Sequence, residues 1–94
     1  MGYRYRSLFR QTKNANGGAL EYFVDGALVN GFALVAWPAE YGVSGVMTFI
    51  VNQDGVVFQK DLGADTAKVE DKMNAYDPDS SWAAIVAADD DQSQ

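Results

Sequence analysis

A chain of 94 residues allows one domain, and 48% apolar residues with 13% aromatics argue for a packed core over disorder. It contains no cysteine and no histidine, which excludes disulfides, thiolate metal sites and Ser-His-Asp or Cys-His catalysis within this chain. The formal charge of −6 is unevenly spread: Arg4, Arg6, Arg10 and Lys13 precede any acid, and thereafter only Lys60, Lys68 and Lys72 stand against 13 carboxylates.

Residues 2–10 alternate, with Tyr3, Tyr5, Ser7 and Phe9 on one side and Arg4, Arg6, Leu8 and Arg10 on the other. Period two with aromatics predicts a half-buried strand, and its cations suit a solvated edge guarded against edge-to-edge pairing. "TKNANGG" is a loop by its turn residues. Leu20 to Val24 reads as a strand, and Asp25-Gly26 predicts a type I′ hairpin, since both central positions need φ > 0. The return strand starts at Ala27 and meets Asn30-Gly31, where a bulge or bend is expected.

Phe32 to Trp37 continues as a strand, which Pro38 ends because it lacks a ladder donor. "AEYGVSG" is a loop, and Val46 to Val51 is the strongest strand of the chain. Its continuous apolar character predicts a central strand covered on both faces. "NQDG" reads as a hairpin loop with Gly55 in the left-handed position, and Val56 to Asp61 returns.

The period then changes. Asp65 is placed to cap a helix with an apolar stripe of Val69, Met73 and Tyr76, Leu62 packing beneath it and Asp77-Pro78 closing it. "DSSWAAIVAA" is either a second short helix capped by Asp79 or Ser80, or a last extended segment docked through Trp82. Strands first and helices afterwards is the α+β pattern, here an antiparallel sheet of four or five strands with one or two C-terminal helices packed on it. One domain is expected over residues 1–88, with a disordered acidic tail at 89–94.

Three blocks, "GYRYRSLFRQ", "GFALVAWPAEYGVSGVMTFIVNQDGVVFQKDLGADT" and "YDPDSSW", resemble the C-terminal part of the bacterial domain-of-unknown-function family 2950. The likeness covers residues 2–82. Trp-Pro-x-x-Tyr-Gly, Ser-Gly-Val-Met-Thr-Phe and Lys-Asp-Leu-Gly, in that order, make it specific. Members of the family are typically longer and begin with an export signal, so the resemblance implies a periplasmic or cell-envelope setting if this chain is a fragment of such a protein. No activity is established for the family, so the resemblance implies no catalytic residues. The order of strands, Gly-rich corner and Asp-Gly hairpin bears a looser likeness to the globular sheets of pilins and pseudopilins, without their long apolar N-terminal helix.

Each local motif has a plain structural reading beside its functional one. Gly42-Val43-Ser44-Gly45 lacks the lysine of a phosphate loop and is followed by a strand, so turn chemistry accounts for it. Trp37, Glu40 and Tyr41 surround Pro38 as anchors for a partner, or else Trp37 closes the core and Tyr41 packs over Gly45. Asp54, Asp61 and Asp65 invite calcium, yet "DLGAD" does not match an EF-hand loop, leaving Asp61 and Asp65 as weak metal candidates. "GYRYR" interleaves aromatics with arginines as single-strand nucleic-acid binders do, but alternation parts the two and the acidic chain opposes phosphate.

The expected protein is therefore a non-enzymatic module without cofactor, acting through contact with an unidentified protein or with itself. The candidate surfaces are the corner at Trp37, Glu40 and Tyr41 and the basic edge at Arg4, Arg6 and Arg10, where a partner strand could add. A small-ligand or calcium-binding domain is the alternative. Nucleic acid is not expected as a partner, nor is membrane insertion, since the longest strongly apolar run, residues 31–37, is too short to span a bilayer.

Overall fold

The computed structural model describes residues 2–85. Its strands, in chain order, are β1 Tyr3–Leu8, β2 Arg10–Gln11, β3 Leu20–Glu21, β4 Phe23–Val24, β5 Ala27–Leu28, β6 Ala33–Pro38, β7 Met47–Asn52, β8 Phe58–Asp61 and β9 Ala83–Ala84. A 3₁₀ turn over Gly63–Asp65 leads into the helix α1, Thr66–Asp71. Five strands form one antiparallel sheet in the order β1-β6-β7-β8-β9, and β2–β3 and β4–β5 form separate two-stranded ladders.

Register decides what the sheet buries. Arg6 lies opposite Val35 and Leu8 opposite Ala33, while Val35 faces Ile50 and Ile50 faces Phe58. Strand alternation puts all of these on one side of the sheet. Leu8, Ala33, Val35 and Ile50 are buried there, joined by Ala15, Tyr22 and Tyr76 from outside the sheet. Burying each large aliphatic side chain contributes about 1.5–3 kcal/mol. Trp37, Phe58, Met73 and Trp82 close the margins of this core.

Helix α1 is tied to the same face by Arg6, which bonds Glu70. It is shorter than the sequence predicts. The chain leaves α-geometry after Asp71, as the amides of Lys72 and Met73 bond the carbonyls of Val69 and Glu70. The buried positions are Thr66 and Glu70, whereas Val69, expected on the apolar stripe, is 41% exposed. Asp65 occupies the N-cap position but makes no side-chain capping bond; Thr66 Oγ1 instead donates to the Gly63 carbonyl.

Of the two readings for the segment after Pro78, the extended one holds. Asp79 accepts from the amide and hydroxyl of Ser81, which hold its carboxyl below the usual carboxylate range. Trp82 packs against the core, Ala83–Ala84 pairs with β8, and the Ile85 amide bonds Val57. Among the described residues there is thus a five-stranded antiparallel sheet with one short helix. The tail expected at 89–94 lies outside the described residues.

The hairpin at Asp25-Gly26 has the expected mirror-image turn, with φ of 50° and 84°. It does not join the main sheet: Val29 and Asn30 both donate back to the Tyr22 carbonyl, folding the β4–β5 ladder outward. β7 is central, but only its Thr48, Ile50 and Asn52 side is buried, so the expectation of cover on both faces fails. One short helix cannot cover two faces.

Gly55 closes the β7–β8 turn with φ of 79° and its amide on the Asn52 carbonyl. Space around it is open, so a substitution there is opposed by backbone conformation alone. Gly55→Val is expected to cost about 1–2 kcal/mol, the left-handed penalty for a residue with a Cβ. A thermal midpoint equal to that of the unaltered chain would refute this.

Candidate functional site

The two predicted surfaces come apart in three dimensions. Trp37 is half-buried on the helix side of the sheet, packed against the core. Tyr41 reaches the other way: its hydroxyl donates to Asp61 Oδ1 at 2.7 Å, a bond that raises the phenol pKa. Asp61 lies opposite Met47 and so belongs to the face turned from the helix. Glu40 is exposed, and its backbone is committed to the corner, with the amide donating to Ser44 Oγ and the carbonyl accepting from Val43 and Ser44. Gly42 to Gly45 form a closed turn, in which Gly45 bridges Tyr41 through the backbone and lies against the Tyr3 ring.

The three arginines also have different roles. Arg4 is exposed on the edge strand β1. Arg6 is a structural clamp, donating from Nε to Glu70 Oε2 and from Nη2 to the carbonyls of Glu70 and Met73. Arg10 pairs with Glu21 at 2.8 Å in solvent. Asp61 Oδ1 accepts from both Tyr41 and the Gly63 amide, so its position is explained by the turn into the helix. Asp65 is exposed, and no group of three or more acidic residues converges among the described residues.

What the sequence did not single out is the face opposite the helix. Register places Tyr5 beside Ala36, Ser7 beside Leu34, Leu34 beside Val51 and Ala36 beside Phe49. One step beyond the ladder, Phe9 and Phe32 follow the same alternation. No element of the described chain covers these side chains. Tyr5 is 73% exposed, Phe9 50%, Phe32 46% and Leu34 38%. Phe23, on the outward hairpin, meets Phe9 edge-on with ring centroids 5.8 Å apart. Tyr3 anchors the far end by packing on Phe49 and donating to the Met47 carbonyl. The signal was present in the sequence: Phe9, Phe32 and Leu34 each alternate with buried neighbours, which assigns them to the other face.

Strand spacing of about 4.8 Å, with about 6.8 Å between same-face residues, gives β1, β6 and β7 a mainly apolar face on the order of 300 Å². Patches of this size are comparable to the largest that a typical monomeric protein leaves bare, and such patches are often functional. No arginine or lysine lies at the paired positions of this face, and Asp61 sits at its rim.

A one-sided core under a short helix and an open apolar face define a small antiparallel β-sheet domain. The chain belongs to the family described as "protein of unknown function (DUF2950)", whose model matches residues 1–85. No curated protein and no solved structure matches it. Among the described residues no helix is long and apolar enough to cross a membrane.

Proposed function

We propose that the protein is a non-enzymatic module of the bacterial cell envelope that acts through protein–protein contact, and that its contact surface is the open sheet face. The observation that carries this is the exposure of Tyr5, Phe9, Phe32 and Leu34 on one uncovered side. The non-enzymatic part is supported by the lack of histidine and cysteine, and the envelope setting by the export signals typical of the family.

The occupant is a second copy packed sheet on sheet. With Phe9, Phe23 and Phe32 added, the face approaches about 500 Å² per copy, so a pair reaches the ~1,000 Å² that separates specific interfaces from casual contacts. Sheets pack face to face about 10 Å apart when both inner faces are apolar. Edge-to-edge self-pairing is disfavoured. An antiparallel β1–β1 pair centred on Tyr5 would set Arg4 against the Arg6 of the other copy, and like charges directly opposite destabilise.

Sedimentation equilibrium over a concentration series tests this. The unaltered chain is expected to dimerise with a micromolar constant, as small interfaces do. Leu34→Asp is expected to be monomeric, with a melting midpoint close to that of the unaltered chain at concentrations too low for dimer, since the side chain is already part-exposed. An unaltered chain that stays monomeric into the millimolar range, or a variant that dimerises equally well, would overturn the reading.

A further inference from the structure

Where β7 turns into β8, three chain segments close around a cleft of about 550 Å³ lined by Asn14, Asn16, Asp54, Phe58, Tyr76 and Pro78. Its walls are held in place. The Thr12 amide donates to the Tyr76 carbonyl at 3.0 Å and the Tyr76 amide to the Arg10 carbonyl at 2.9 Å. Thr12 Oγ1 and Asn14 Nδ2 both donate to Asp77 Oδ1 at 2.7 Å. A cleft of this volume with a few convergent polar groups on a fixed frame has the usual form of a small-molecule site.

Two polar groups there have no partner among the described residues. Tyr76 is only 3% exposed and lines the cleft, and its hydroxyl makes no hydrogen bond among the described residues. The Asp54 carboxylate likewise receives no donor from the described residues, only its amide being engaged, with Asn52 Oδ1. Burial, and then the field of Asp54, pushes the Tyr76 hydroxyl up to about 12. It therefore stays protonated at every physiological pH, and its oxygen remains a neutral acceptor. Asn14 Oδ1 accepts no hydrogen bond from the described residues, its amide nitrogen being held by Asp77.

The lining includes no lysine or arginine, and the chain carries −6 overall, so anions are repelled and cations drawn in. An ammonium offers three donors and no acceptor, which matches a carboxylate, a phenol oxygen and an amide oxygen. The rings of Phe58 and Tyr76, 6.4 Å apart and edge-to-face, give a carbon stem an apolar wall. We propose that this cleft binds an organic ammonium group, with the cation on Asp54, Tyr76 and Asn14 and its aliphatic stem along Phe58 and Pro78. This site is independent of the open sheet face.

The ammonium could belong to a free amine or to a lysine side chain of another protein, and titration followed by amide chemical shifts separates the two. Cadaverine and the capped amino acid N-acetyl-lysine-methylamide are the probes, and neutral 1,5-pentanediol is the control. Shifts are expected at residues 14–16 and 54–56 with either amine, saturating at lower concentration with the true source, and not with the diol. Asp54→Asn is expected to weaken binding about tenfold through loss of the charge. Tyr76→Phe should weaken it about threefold while leaving the melting midpoint in place, because the hydroxyl has no partner among the described residues to lose. The proposal is overturned if neither amine shifts those residues by 20 mM on the scale of weak ligands, if the diol shifts them equally, or if Asp54→Asn binds unchanged.

Discussion

Arg6→Ala is expected to destabilise the fold by about 3 kcal/mol, read as a fall in the urea midpoint at unchanged slope. Arg6 is 39% exposed at the side chain and Glu70 only 7%, so truncation leaves a nearly buried carboxylate without its counter-ion. It also removes the donor shared by the Glu70 and Met73 carbonyls at 2.8 and 2.9 Å, which end the helix. Breaking a fully buried pair costs about 3–5 kcal/mol, and partial exposure of the arginine places this case at the lower end. Arg6→Lys keeps the charge but cannot reach a carboxylate and two carbonyls from one planar fork, so about half the loss is expected to remain. The matching change Arg10→Ala is expected to cost under about 1 kcal/mol, because both partners of that pair are solvated. If Arg6→Ala loses no more than Arg10→Ala, the helix is held by packing and the clamp is incidental.

The same residue explains why the helix departs from the pattern its sequence suggests. Local periodicity selects Val69, Met73 and Tyr76; Met73 and Tyr76 do reach the core from beyond the helix, but Val69 is exposed and the helix itself turns Thr66 and Glu70 to the sheet. A buried glutamate looks like a solvated position until Arg6, 64 residues earlier, is known to face it. Elements set by local chemistry were legible. The Asp25-Gly26 turn, Gly55, the end of β6 at Pro38 and the strong central strand all follow from φ preferences, missing donors and β-branching. Which face is covered was not legible, because it depends on how many layers the rest of the chain supplies. Val46 to Val51 reads as doubly buried by composition, and the single helix leaves Phe49 and Val51 only half-covered. The open face is therefore the part of an apolar pattern that the described residues leave uncovered.

Gln11 presents the same problem inside the core, and Gln11→Ala is the second large effect expected, about 3 kcal/mol. Gln11 is 3% exposed. Its Oε1 accepts from the Tyr22 hydroxyl at 2.7 Å, Asn52 Nδ2 at 3.1 Å and Gln53 Nε2 at 3.3 Å. Its Nε2 donates to the Gly18 carbonyl at 2.7 Å. One amide thereby joins β2, β3's neighbour Tyr22, the β7 end and the loop that walls the ammonium cleft. Each buried group left without a partner costs about 1–3 kcal/mol, and Tyr22 and Asn52, both fully buried, cannot turn to water. Tyr22→Phe removes one bond and leaves Gln11 Oε1 with its other two donors, so about 1 kcal/mol is expected from it. The double variant should lose less than the sum of the two, because the hydroxyl that Gln11→Ala strands is then already gone. Denaturant titration of the two single variants and the double variant decides the matter. Equal losses for Gln11→Ala and Tyr22→Phe, adding fully when combined, would show that Tyr22 is held by packing and that Gln11 is not the joint of the sheet's end.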